Sequence, residues 1–185
     1  MNVIPTDLPG VLILEPRVFR DGRGWFVETW QSERYAALGL PSTFVQDNVS
    51  RSVRGVLRGL HIQNPRPQGK LVTVLEGTVW DVAVDVRRGS PTFGRWAAVE
   101  LSGETLRQFW VPAGLAHGFL VQSESAVFSY KCTDGYDAAA EFGVRWDDPD
   151  LAIPWPSASP IVSGKDAVLP FLRDIAPDRL VAFDG

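Results

Sequence analysis

The chain is poor in the residues that commit a protein to disulfide, metal or membrane chemistry. Of 185 residues one is cysteine, Cys132, and two are histidine, His61 and His117. A single cysteine excludes an internal disulfide and suits the cytoplasm. With no base beside it in sequence, Cys132 reads as a small buried side chain rather than a nucleophile. No apolar run approaches the roughly 20 residues of a membrane span. The N-terminus, MNVIPTDLPG, has no basic segment followed by an apolar one, so no signal peptide is expected. Positive charge is also scarce: 18 Lys and Arg stand against 22 Asp and Glu, a net charge of -4. That balance excludes a general attraction to nucleic acid or to an anionic membrane, and any anionic ligand must be met by a local cluster of cations.

What is present is an ordinary globular balance, 45% hydrophobic and 22% charged, with no repeat, low-complexity tract or linker. These features predict one domain, residues 1–185. Seven tryptophans are many for this length. Some belong in a core, and others are surfaces on which sugar or base rings stack.

Short strands dominate the reading. Val11 to Phe19 is a strand interrupted by Pro16, 21–24 a turn, and Trp25 to Trp30 a second strand. Gln31 to Gly39 is the one early helix, stopped by Gly39 and Pro41. Lys70 to Arg87 is the clearest β signal, two valine-rich runs about Glu76-Gly77 that read as a tight hairpin. In its second run Trp80, Val82, Val84 and Val86 share one face, and Val79, Asp81, Ala83 and Asp85 the other. Further strands are expected near Arg95–Leu101, Gln108–Pro112, Gly118–Gln122 and Ala126–Thr133. The region from Trp146 is rich in proline and aspartate and should wrap the outside, with a short helix near Lys165–Leu172. Many short strands, Gly/Pro turns and little helix predict an all-β jelly roll, a sandwich or barrel with a few short peripheral helices, enclosing a ligand pocket.

Residues 44–63, FVQDNVSRSVRGVLRGLHIQ, are denser in hydrogen-bonding side chains than packing requires. Read alone, they fit an edge hairpin with a solvated polar face as well as a functional strand pair. The second histidine lies in a turn pattern, Pro112-x-Gly114-x-x-His117, that resembles the second motif of the cupin superfamily, whose β-barrels often hold a metal. A catalytic first-row metal site typically wants three protein ligands. Here His61 is followed by Ile62 and Gln63 rather than by a paired histidine, so a metal-free pocket is the better expectation. Such a pocket works by acid–base chemistry, with histidine as base, a carboxylate to orient it, a cation for developing oxyanion charge and a tyrosine as acid.

Several motifs then agree in order. They are 21–28 (DGRGWFVE), 44–52 (FVQDNVSRS), 55–63 (GVLRGLHIQ), 68–87 (QGKLVTVLEGTVWDVAVDVR), 90–94 (SPTFG), 110–119 (WVPAGLAHGF), 130–136 (YKCTDGY) and 163–166 (SGKD). Across roughly Pro9 to Pro170 the chain resembles the dTDP-4-dehydrorhamnose 3,5-epimerases. The resemblance implies a cupin-like jelly roll, no metal or cofactor, a homodimer, and a cytoplasmic role in making dTDP-L-rhamnose. It implies His61 as the base that removes protons flanking the C4 ketone of dTDP-4-keto-6-deoxyglucose, Asp166 as its partner, Tyr130 as the acid on the other face, and Lys70 beside the C4 oxygen. Substrate contacts are implied at Arg23, Glu28, Gln46, Asp47, Asn48, Arg58, His117, Glu141 and Lys165, thymine stacking at Tyr136, and a lining of the nucleotide site at Phe19 and Phe26.

Trp25 stands where the family often has phenylalanine. Gly135 replaces the first of a common aromatic pair and is expected to loosen the loop beside Tyr136. Arg58 and His61 are three apart, which on a regular strand points them to opposite faces; for both to reach one ligand the strand must bulge, and Gly59 is the place for it. The rival readings are a C3-only epimerase, a metal-dependent cupin oxygenase and a sugar-binding module without catalysis.

Overall fold

The structure is a computed structural model that describes residues 1–183. Its strands in chain order are β1 (Asn2–Pro5), β2 (Leu12–Glu15), β3 (Val18–Asp21), β4 (Gly24–Val27), β5 (Gln46–Val53), β6 (Leu57–Gln63) and β7 (Lys70–Glu76). They continue as β8 (Thr78–Asp85), β9 (Trp96–Ser102), β10 (Gln108–Val111), β11 (Leu115–Val121), β12 (Ser125–Cys132) and β13 (Glu141–Gly143). Helices are short: α1 (Ser32–Ala36), α2 (Gly164–Ala167) and a 3-10 turn at Leu172–Asp174. Among the described residues no helix is long and apolar enough to cross a membrane.

Two antiparallel sheets face each other. One has the order β1-β2-β10-β7-β12-β5 and the other β13-β6-β11-β8-β9, with β3 and β4 forming a separate ribbon. This is the expected all-β jelly roll. Between the sheets lies an apolar layer that includes Val72, Val74, Val79, Ala83, Val99, Phe109, Phe119 and Phe128. The inward and outward rows of β8 fall as alternation predicts: Val79 and Ala83 join this layer, while Val82, Val84 and Val86 face outward. There the C-terminal wrap covers them with Leu151, Ile153, Leu172, Ile175 and Leu180. A third cluster seats α1 on the other sheet through Tyr35, Leu40, Leu71 and Trp110.

Two expected hairpins are not hairpins. β7 and β8 meet at Gly77 (φ 80°), but β7 belongs to the six-stranded sheet and β8 to the five-stranded one. β5 and β6 divide in the same way. Tight connections between valine-rich runs look alike in sequence whether the chain folds back beside itself or crosses to the opposite layer; only the hydrogen-bond partners distinguish them. The expected helix over Gln31–Gly39 shrinks to five residues capped by the Gln31 side chain. The one expected at Lys165–Leu172 divides at Leu169-Pro170, since proline excludes the helical conformation of the residue before it. Cys132 is buried, as expected.

Candidate active site

β5 and β12 supply one wall. Alternation along β5 turns Gln46, Asn48, Ser50 and Ser52 inward, while Val45, Val49 and Val53 are exposed on the outer face of this edge strand. Opposite Asn48 in register stands Tyr130, and opposite Ser50 stands Phe128. The interior face of β5 is thus wholly polar, which an apolar core would not tolerate and a ligand cavity needs.

β6 and β11 supply the facing wall, and here the local backbone decides the site. In register His117 pairs with His61, but Phe119 pairs with Arg58, so β6 carries one extra residue between them. Gly59 holds that bulge with φ +114°. A Cβ there would lie 2.6 Å from the His117 carbonyl oxygen. Because His117 and Phe119 point the same way along β11, the bulge brings Arg58 to the same side as His61. Both line one cavity of about 400 Å3, within the size range of small-molecule sites.

His61 Nε2 lies 2.7 Å from Asp166 Oδ1, and the other carboxylate oxygen accepts from the Gly59 N–H at 3.4 Å. Asp166 sits in α2, where the Ser163 hydroxyl caps its N–H at 3.0 Å. Burial opposes ionisation of Asp166, but the hydrogen bond and charge of His61, the Gly59 N–H and Ser163 outweigh it and hold the carboxyl below its ordinary range. An ionised carboxylate only accepts, so in the neutral form of the imidazole Nε2 carries the proton and Nδ1 the lone pair.

Tyr130 faces this pair from the opposite sheet, and burial pushes its phenol upward, so it holds its proton at neutral pH. Lys70, at the start of β7, lines the same cavity. Burial pulls its ammonium down, and negative groups, including Glu141 and Asp81, pull it back. His117 is buried with Nε2 2.7 Å from Asp81 Oδ1. Glu141 accepts from the Tyr136 hydroxyl at 2.8 Å and from the Lys165 ammonium, tying the mouth together.

Of the residues singled out in the sequence, the cavity collects His61, Lys70, Tyr130, Gln46, Asn48, Arg58, His117, Tyr136, Glu141 and Lys165, with Asp166 behind His61. It does not collect five others. The side chain of Asp47 turns to the outer face of β5 and pairs with Lys131 at 2.8 Å. Glu28 pairs with Arg34 at 3.0 Å. Phe19, Arg23 and Phe26 line a shallow recess on the β3–β4 ribbon, where Arg23 pairs with Asp21. Among the described residues no tryptophan lines the cavity; Phe119, Phe128, Tyr130 and Tyr136 are its phenylalanine and tyrosine rings. Side-chain hydrogen bonds hold the loop beside Tyr136. Gln46 accepts from the Tyr136 N–H at 2.8 Å, and Gln63 bonds the Gly135 carbonyl and the Asp137 N–H.

Sequence reasoning missed Asp81, Ser50, Gln68, Phe119 and Phe128. Asp81 had a readable signal: a carboxylate set between Val79 and Ala83 on the inward row must find a partner. Phe119 and Phe128 had none, because a phenylalanine on a core strand reads as core.

Within this jelly roll a histidine–carboxylate pair faces a protonated tyrosine, and the Lys70 side chain lines the same cavity. Such a set can take a proton from one side of a carbon and return one from the other, and it defines a cupin-like isomerase. The sequence model of the family described as dTDP-4-dehydrorhamnose 3,5-epimerase matches residues 5–174. The chain belongs to this family. It is 54% identical over 168 residues to a dTDP-4-dehydrorhamnose 3,5-epimerase of Pseudomonas aeruginosa, covering 90% of this chain and 93% of that one. A crystal structure of a Legionella pneumophila dTDP-6-deoxy-D-glucose-3,5-epimerase in complex with dTDP-4-keto-L-rhamnose is 51% identical, with a TM-score of 0.97 over 100% of this chain and 99% of that one. A dTDP-4-dehydrorhamnose 3-epimerase of Streptomyces niveus is 40% identical over 90% of this chain and 81% of its own.

Proposed function

We propose that this protein inverts C3 and C5 of dTDP-4-keto-6-deoxy-D-glucose to give dTDP-4-keto-L-rhamnose, within the route to dTDP-L-rhamnose. The observation that carries this reading is the placement of His61, oriented by Asp166, on one sheet and Tyr130 on the facing sheet. His61 Nδ1 takes the proton α to the ketone, and Tyr130 delivers one from the opposite side, which is inversion. A proton α to a ketone is too weakly acidic for unaided removal, so the enolate oxygen needs a fixed positive partner, and the Lys70 ammonium provides it. Arg58 takes the diphosphate, Tyr136 stacks on thymine, and Gln46, Asn48, His117, Glu141 and Lys165 complete the contacts. No metal or cofactor has a part in this scheme. Its support is that each histidine gives Nε2 to a carboxylate, and that among the described residues no three His, Cys, Asp or Glu side chains are grouped so that they could hold a metal ion.

The working unit is a homodimer of single-domain chains in the cytoplasm. Exposed Phe19, Trp25 and Phe26 on the β3–β4 ribbon, the last 68% exposed, are what a partner surface would cover. Nucleotide contacts at Phe19, Arg23, Phe26 and Glu28 are compatible with the single-chain geometry if the ribbon of one protomer reaches the cavity of its partner. The second reading, inversion of C3 alone, rests on the 40% identity to the 3-epimerase, against 54% to the double epimerase.

The deciding experiment is turnover of dTDP-4-keto-6-deoxyglucose in heavy water. Deuterium at both C3 and C5 of the product is expected. Label at C3 alone would select the monoepimerase, and absence of any label would remove the epimerase reading.

A further inference from the structure

The cavity is lined almost throughout by hydrogen-bonding side chains. Phe119 and Phe128 are the exceptions, and Gly118 adds no side chain to their patch. The two rings stack at 3.9 Å between centroids with 12° between planes, and both are buried and also belong to the apolar layer between the sheets. Phe128 lies against His117 at 6.2 Å and against Tyr130 at 5.9 Å. The patch is therefore tightly packed, next to the tyrosine, and on the buried side of the cavity. The mouth is marked by Tyr136, 55% exposed, and by the paired Glu141 and Lys165.

A 4-keto-6-deoxyhexose carries hydroxyls at C2 and C3, an oxygen at C4 and the diphosphate at C1. Its one apolar substituent is the C6 methyl. With the nucleotide at the mouth, the sugar is the end that reaches inward, and C6 is attached to C5, one of the two carbons that Tyr130 must reach. We infer that Phe119 and Phe128 form the subsite for the C6 methyl and make the enzyme selective for 6-deoxy over 6-hydroxy sugars. The inference rests on the epimerase reading above.

The physical reason is asymmetric. A methyl against two phenyl rings loses only water contact, which is favourable. A hydroxymethyl in the same place puts a hydroxyl where the adjoining ring faces offer no strong donor or acceptor, and a buried hydroxyl without a partner is penalised. Apolar pockets reject an added hydroxyl only moderately, by about 100-fold at most in comparable cases.

Two stable compounds isolate the effect: dTDP-6-deoxyglucose and dTDP-glucose, which differ only at C6, lack the ketone and do not turn over. Calorimetry should show dTDP-6-deoxyglucose binding roughly 10- to 100-fold more tightly. Phe119→Leu should keep that preference and Phe119→Asn should narrow it, with affinity for dTDP itself unchanged as the control for folding. Equal affinity of the wild-type protein for the two sugars overturns the inference, whatever the variants do. An undiminished preference in a Phe119→Asn protein that still binds dTDP removes Phe119 from the subsite. The epimerase reading fails separately, through loss of dTDP binding or of deuterium incorporation in heavy water. If those two hold and the two sugars bind alike, only the methyl subsite is lost.

Discussion

Asp166 Oδ1 lies 2.7 Å from His61 Nε2, although 105 residues separate them in the chain. The short helix that carries Asp166 docks on β6, and the same carboxylate also accepts from the N–H of Gly59 in the bulge. One side chain therefore fixes both the tautomer of the histidine and the strand that presents it.

His61→Asn removes the base while leaving the cavity wall in place. The rate of epimerisation should fall by roughly 10³-fold or more, the range of a lost general base, whereas dTDP binding stays intact. Calorimetry with dTDP beside a turnover assay separates the two effects. Undiminished turnover would favour a pocket that binds sugars without this histidine acting on them.

Asp166→Asn tests orientation rather than proton removal. An amide can donate to Nε2, which shifts the ring proton to Nδ1 and takes away the basic lone pair. A loss in kcat of about 10²- to 10⁴-fold is expected with little change in KM. A variant that raised KM alone would show Asp166 acting in binding.

Tyr130→Phe leaves the base and removes the acid. Deuterium should still exchange into the substrate from the His61 side, with retention of configuration, while inverted product disappears. NMR of the recovered sugar reads both outcomes at once. Loss of exchange together with inversion would place Tyr130 in the first proton transfer as well.

Gly59→Ala should be among the most damaging small substitutions. The added methyl meets the His117 carbonyl at 2.6 Å, at a φ of +114° that side chains rarely adopt. A loss of about 3 kcal/mol follows, or roughly 6–12 °C in Tm for a chain of this size, and activity falls with it because Arg58 and His61 no longer face one ligand. Thermal unfolding within one degree of wild type would show that the strand does not need this bulge.

Acid stability should depend on Asp85. Burial pushes its carboxyl up, but hydrogen bonds from Arg87, Ser90 and Thr92 outweigh that and bring it from 3.8 down to about 2. Because the folded value is depressed, the stabilisation is complete above the unfolded pKa and is lost as pH falls from about 4 towards 2. The shift corresponds to about 2 kcal/mol. Unfolding of Asp85→Asn should therefore differ most from wild type near neutral pH, and the gap should close in acid. A gap that persists unchanged at pH 2 would mean packing, not charge, holds this turn.

Much of the architecture was legible in local pattern. Alternation along β8 told inside from outside, Pro16 marked the break between β2 and β3, and valine-rich runs announced strands. What misled was connectivity: Gly77 looks like a hairpin turn, yet the chain crosses there to the opposite sheet. The site was legible in part. The motif residues on β5, β6, β7 and β12 do meet in one cavity, and the geometric demand that β6 bulge at Gly59 is met. Asp47 leaves the site because alternation alone points it away from Gln46 and Asn48. Arg23, Glu28, Phe19 and Phe26 stand apart because their ribbon does not fold over the cavity of its own chain.

Residues 44–63 show the division of labour. Sequence by itself determined that this stretch is extended, polar beyond the needs of packing, and unable to present Arg58 and His61 together without a break at Gly59. It also determined the chemistry on hand: two histidines, one of them without the neighbour that a metal site wants. Tertiary structure decided that β5 and β6 lie on opposite layers, that Asp166 reaches His61, and that Asp81 holds His117. Alternation and backbone conformation are properties of neighbours in the chain, so they can be read from it. Which carboxylate meets which imidazole depends on how distant segments pack, and no local spacing encodes that.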